Sequence, residues 1–230
     1  MSLYLIPCPL GDEPLEQGRI FMPGLIQGLE GFVVENLRSA RRALRKMGFK
    51  AAFDQVSFFE LNEHTGDTTL PEIIRFLKSG RDLGLMSEAG MPGIADPGAS
   101  LVKQCHQEKI KVVPIPGPSS VFLALASSGL NGQQFRFTGY LPREKENRRE
   151  SLEILSQMAL KGEAQIFIET PYRNAALWED LMKIKQENLL LCVAADLTLP
   201  TEFILTRSIS NWKKSGWLPP KTPAVFILGT

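Results

Sequence analysis

The sequence predicts an α/β fold in two domains, with a mostly parallel sheet in the first and a mixed sheet in the second. Three features carry that expectation. Short apolar runs alternate with amphipathic stretches of helical length, the spacing of successive βαβ units. Two Gly/Pro-dense segments, SEAGMPGIADPG at 87–98 and PIPGPSS at 114–120, each follow an apolar run and lead into a helix-like stretch. Beyond 135–140 the character changes, and two strand-like runs, 189–195 and 202–210, follow one another with no helix between them. The domain boundary is therefore expected near Gly139, giving residues 1–138 and 139–230.

Each element has a local reason. Residues 3–9 form an apolar run stopped by Leu10-Gly11-Asp12, a strand and then a turn. A polar loop leads to a second buried strand at 31–35. The stretch 37–47 then places Leu37, Ala40, Leu44 and Met47 on one helical face. A strand at 56–60, a helix at 70–78 and a strand at 83–86 come next. Helix 99–107, strand 111–115 and helix 119–128 complete the first set. The second set opens on a charged segment, 141–149, that starts a helix reaching Leu160. Strand 164–169, helix 174–183, the two consecutive strands and a last strand at 224–228 follow.

Composition narrows the function. The 230 residues are 43% hydrophobic, enough for one large or two modest cores. A net charge of +1 gives no global field toward nucleic acid or membrane, so any RNA contact must come from local patches. Cys8, Cys105 and Cys192 are far apart and odd in number, which reads as buried thiols in a reducing compartment. With His64 and His106 the only histidines, no metal site is expected. The N-terminus lacks the basic and long apolar regions of a signal peptide, and the longest apolar stretches are far short of a bilayer span. A cytoplasmic protein without a membrane segment is expected.

A strand that ends in Gly and Pro leaves backbone N–H and C=O groups at its carboxyl end, where open α/β sheets bind ligands. Two such loops from neighbouring strands are expected to line one crevice. Glu35, at the end of the second strand, can orient or deprotonate an acceptor hydroxyl; equally, it can cap the following helix or pair with Arg38. Arg38, Arg42 and Arg45, flanked by Arg41 and Lys46, make a basic face that reads as a phosphate contact or as a solvated surface. The cluster Arg143, Lys145, Arg148 and Arg149 is interleaved with acids and reads better as local ion pairs. Trp178, Trp212 and Trp217 read as core or interface.

Several fragments also recur in a fixed order. They are Leu3–Gly11 as a TPIGN-type opening, Glu35-Asn36-Leu37-Arg38 at an EDTR position and Glu63-His64 at EHN. Ser87–Gly98 matches SDAGTPxxSDPG, and Val113–Ser120 matches VPIPGPSA. Gly139–Arg143 stands at GFLPRK and Glu169–Arg173 at ESPHR. This ordered set resembles the tetrapyrrole-methylase-like superfamily of S-adenosylmethionine (SAM) dependent methyltransferases, nearest to its small-subunit rRNA (cytidine-2′-O)-methyltransferase branch.

The resemblance implies a two-domain protein, usually a homodimer, with SAM in the interdomain cleft and RNA as a partner. It implies Glu35 and Arg38 as catalytic candidates. It implies SAM contacts at Leu10, Ser87, Glu88, Gly90, Met91, Pro92, Ser119, Ser120, Ile168, Ala195, Pro223 and Ala224. The activated methyl of SAM requires neither a metal nor a protein nucleophile, which suits a chain without GxGxxG, GxxxxGK[ST] or a Ser–His–Asp set. Glu88 stands where the branch has Asp, Met91 where it has Thr, and Asn36-Leu37 where it has Asp-Thr. The chain also ends sooner than the rRNA enzymes are expected to. A small-molecule or protein acceptor, or a SAM-binding protein without catalysis, are the alternatives.

Overall fold

A computed structural model describes residues 1–11, 23–62 and 65–230. The Glu63-His64 fragment lies outside them. The chain divides into two compact units, Met1–Ser119 and Ser120–Thr230.

The first unit contains β1 (Ser2–Ile6), α1 (Pro23–Gln27), β2 (Gly31–Val34), α2 (Leu37–Lys46), β3 (Ser57–Glu60), α3 (Leu70–Lys78), β4 (Leu83–Met86), α4 (Ala99–Gln107) and β5 (Lys111–Pro114). Its strands pair in the order β3-β2-β4-β1-β5, every pair parallel. Alternation along the strands sorts side chains between two cores. Leu3, Val33, Phe59, Leu83 and Leu85 pack with Ile73, Leu77 and Leu101 of α3 and α4. Ile6, Phe32, Val34 and Met86 pack with Ala40 and Leu44 of α2. The near-continuous apolar runs of the sequence are thus strands covered on both faces. Asn36 caps α2, its side-chain oxygen accepting from the N–H groups of Arg38 (2.9 Å) and Ser39 (3.1 Å).

Contrary to the expectation of neighbouring strands, β4 and β5, which feed the two Gly/Pro loops, are separated by β1.

The second unit contains α5 (Ser120–Ser128), β6 (Phe135–Tyr140), α6 (Lys145–Leu160), β7 (Ala164–Glu169), α7 (Asn174–Leu181), β8 (Leu190–Ala195), β9 (Phe203–Ser208), α8 (Ile209–Ser215) and β10 (Ala224–Gly229). The strand order is β6-β7-β10-β8-β9, with β6 and β7 parallel and the remaining pairs antiparallel. The mixed sheet is therefore present. The unit boundary falls at 119/120, ahead of the 138/139 expected from composition. The cause is α5, which packs on β8, β9 and β10. It is fastened by a 2.7 Å hydrogen bond from Thr206 Oγ1 to the Ser128 carbonyl.

The core of this unit gathers around Trp178, Trp212 and Trp217, whose ring centroids lie 4.9–5.2 Å apart. Trp212 is buried and donates from Nε1 to the Leu191 carbonyl at 2.8 Å. The expected strand at 202–210 stops early: Ser208 accepts from Asn211 N–H and caps α8, which Gly216 closes at φ 63°. Among the described residues, no helix is long and apolar enough to cross a membrane.

Candidate functional site

In a parallel sheet every strand ends at the same edge, so the loops after β1, β2, β4 and β5 emerge together. The connections leaving the adjacent strands β1 and β4 run in opposite directions across the sheet, a topological switch of the kind that opens a ligand crevice. The two loops at this switch are tied by a backbone pair. Cys8 N–H donates to the Gly90 carbonyl at 2.8 Å, and Gly90 N–H to the Cys8 carbonyl at 3.0 Å. Gly90 has φ 72°, which side chains with a Cβ resist. A Cβ there would lie 3.3 Å from Leu10 Cδ2 and 3.7 Å from the Pro118 carbonyl oxygen. Three loops remote in sequence therefore meet at Gly90, and the predicted residues Leu10, Ser87–Pro92 and Ser119 share the loop edge. Ser120 begins α5 of the second unit.

Carboxylates line this edge. Glu35 Oε1 accepts from the Glu88 N–H at 3.2 Å, and Glu88 Oε1 accepts from Ser39 Oγ at 2.9 Å. Asn36, not Glu35, caps α2, so the capping reading of Glu35 is set aside. The sequence reading did not single out Asp96. Burial raises its carboxyl to about 6; a hydrogen bond with Ser87 opposes the rise and the charge of Glu88 adds to it. Burial, then Glu35, then Asp96 push the Cys8 thiol up to about 12. That thiol stays protonated and serves packing. The only available signal for Asp96 was its place in the second half of the 87–98 motif.

This loop edge carries Glu88 and Asp96 and, over 83–102 and 114–120, no Lys, Arg or His. An edge of this composition suits a cationic or hydroxyl-bearing ligand and offers a phosphate no positive partner.

The second unit is described by its own sheet. Ala224 sits opposite Glu169 on one side and Ala195 on the other, while Ile168 pairs with Val225 and Tyr140. The register therefore brings Ile168, Ala195, Pro223 and Ala224 to one edge of this sheet. Arg173 donates to the buried Glu169 carboxylate and, at 2.7 Å, to the Leu141 carbonyl, so it fixes the β7–α7 turn. Asn174 Nδ2 donates to the carbonyls of Pro220 (2.9 Å) and Thr222 (2.8 Å). Asn174 Oδ1 and Thr222 Oγ1 are buried without a partner among the described residues. Asp196, at φ 51°, accepts from Thr201 Oγ1 at 2.9 Å.

The basic clusters divide. Arg148 and Arg149 both bind the buried Asp180, at 2.7 and 2.9 Å, so these two are structural, while Arg143 and Lys145 are exposed. On α2, Arg41 lies over Phe53 and Phe58, and Arg45 lies 4.0 Å over Phe53. Arg38 and Arg42 are exposed.

A family model for tetrapyrrole (corrin/porphyrin) methylases matches residues 33–212. The chain belongs to that family. It is 29% identical to the "Ribosomal RNA small subunit methyltransferase I" of Haemophilus influenzae, over 98% of this chain and 77% of that one. It is 31% identical to the protein of the same name from Thermotoga maritima, over 93% of this chain and 92% of that one. Among solved structures, the methyltransferase CobJ matches 100% of this chain and 94% of its own, with a TM-score of 0.63 at 16% identity, a likeness of fold.

Members of the family are methyltransferases that use SAM as donor. The residues here fit that donor on structural grounds. The carboxylates of Glu35, Glu88 and Asp96, with no Lys, Arg or His over 83–102, suit a sulfonium and an ammonium group.

Proposed function

We propose that this chain methylates a ribose 2′-hydroxyl of small-subunit ribosomal RNA. The observation that carries the chemistry is the Glu35–Glu88 link, which holds a carboxylate at the carboxyl end of β2 beside the switch-point loops. Bound SAM supplies an activated methyl on a positively charged sulfur. The first unit would hold it through Leu10, Ser87, Glu88, Gly90, Met91, Pro92 and Ser119. The second would do so through Ser120, Ile168, Ala195, Pro223 and Ala224. Glu35 orients the acceptor hydroxyl and takes its proton as the oxygen–carbon bond forms and the carbon–sulfur bond breaks. The acidic loop edge stabilises the cationic donor before transfer and loses that attraction once the sulfur is neutral, which favours release of the spent product.

The acceptor assignment is supported by the names of the Haemophilus and Thermotoga relatives.

Purified protein incubated with methyl-labelled SAM and undermethylated small ribosomal subunits is expected to label the rRNA at a ribose. Glu35→Gln is expected to lower kcat by roughly 10²–10⁴ while SAM affinity by calorimetry stays within about twofold. Label found only in small-molecule or protein fractions would overturn the rRNA reading.

A further inference from the structure

Methyl transfer at the loop edge makes no use of the outer face of α2. That helix and the turn after it carry Arg38, Arg41, Arg42, Arg45, Lys46 and Lys50, and no acidic residue occurs from 36 to 53. Helices favour acids in their first turn, where the dipole is positive; α2 has none there and carries Arg38 instead. Arg38 and Arg42 stand four residues apart, so their like charges face each other on the helix surface and repel. The carboxylates at the helix start come from other elements, Glu60 accepting from the Leu37 N–H and Glu88 from Ser39. Helix α2 itself has no acid to offset the repulsion between Arg38 and Arg42.

Some of these cations have a structural task. Arg41 and Arg45 cover Phe53 and Phe58, and Arg45 Nη1 also donates to the Phe49 carbonyl at 2.6 Å. Arg38 and Arg42 do not: both are exposed, and neither guanidinium makes a hydrogen bond or ion pair with a described residue. Their helix is also anchored at the loop edge. Asn36 caps it, and Ser39, in its first turn, donates to the Glu88 carboxylate. The exposed arginines therefore run outward from the loop that carries the candidate donor site, in a protein whose net charge is only +1.

We infer that Arg38 and Arg42 form a phosphate-binding strip that holds the RNA backbone next to the nucleotide being methylated. The inference rests on the rRNA reading above. Guanidinium groups suit this task because their fixed fork of donors matches the oxygens of a phosphate. The division of charge is also complementary. The 83–102 segment carries Glu88 and Asp96 and no Lys, Arg or His, while the adjoining helix face is cationic and acid-free. A polyanion is thereby drawn to α2 and kept off the donor site.

The test uses the full-length protein and a fluorescent single-stranded RNA, with affinity measured across a salt series. Arg42→Gln and Arg42→Glu are compared with Lys103→Glu, an exposed lysine on α4. Each variant is checked by thermal melting and by SAM calorimetry. The wild type and Lys103→Glu are expected to share one salt slope. Arg42→Gln is expected to lower the slope by about 0.7, the share of one phosphate contact on a single strand. Arg42→Glu is expected to weaken binding about tenfold or more at low salt, with SAM affinity unchanged. Arg42 variants that keep the wild-type slope and affinity, while the wild type still methylates small subunits, overturn the strip and leave the rRNA reading standing. A wild type that neither binds RNA nor methylates subunits removes both.

Discussion

Asp96 is the residue whose environment departs furthest from what its sequence position announced. Burial and the neighbouring Glu88 hold its carboxyl at about 6, above its value in an unfolded chain. A carboxyl raised in the folded state favours folding most at low pH, and that contribution is lost as pH rises from about 4 through about 6. Asp96→Asn is therefore expected to raise the urea midpoint at pH 8 relative to wild type, with the gap closing near pH 4. Equal gains at both pH values would contradict the assignment.

The two loop glycines behave differently from one another. A Cβ on Gly117 would lie 2.1 Å from Pro7 Cγ, so Gly117→Ala must displace the β1 loop. That variant is expected to cost about 1–3 kcal/mol in urea denaturation. Gly90 has room apart from Leu10, and its constraint is the positive φ. Gly90→Val is expected to abolish SAM binding in calorimetry at a smaller cost in stability. The sequence marked both glycines as bends, but only the tertiary structure separates a packing glycine from a conformational one.

Among the elements, α6 and α7 are joined by a buried ion pair that no sequence pattern revealed. Asp180 is almost wholly buried and accepts from Arg148 Nη2 at 2.7 Å and Arg149 Nε at 2.9 Å. Burial works against its charge, but the two guanidinium groups outweigh it and hold the carboxyl below its usual value. Its contribution is present above the unfolded pKa and is lost as pH falls through the folded one. Asp180→Ala strands Arg148 and is expected to cost about 3–5 kcal/mol, measured by urea denaturation at pH 7. The sequence made the strands of the first sheet legible because burial on both faces leaves apolar runs bounded by Gly and Pro. It missed β6, whose residues alternate between half-buried and exposed at a sheet margin. It also missed α8, where a Ser cap turns the chain directly from strand to helix.

At the scale of the whole molecule, ligand linkage is the accessible observable. A donor that binds only the folded chain is expected to raise the melting temperature with concentration, by about 2.7 kcal/mol of stabilisation at a hundredfold excess over Kd. Gly90→Val is expected to lose that response. Undiminished stabilisation of Gly90→Val by SAM would remove the switch-point loops from the binding site.

The sequence by itself determined the α/β class, the βαβ order of the first unit and the family, because these depend on local periodicity, turn chemistry and an ordered set of motifs. It also marked the two Gly/Pro segments as bends after strands. The tertiary structure alone decided that β1 separates β4 from β5 and that α5 belongs with the second unit. It alone decided which arginines are committed to aromatic rings or to Asp180 and which face solvent. Those outcomes depend on contacts between residues distant along the chain, whose energies leave no periodic trace in the sequence.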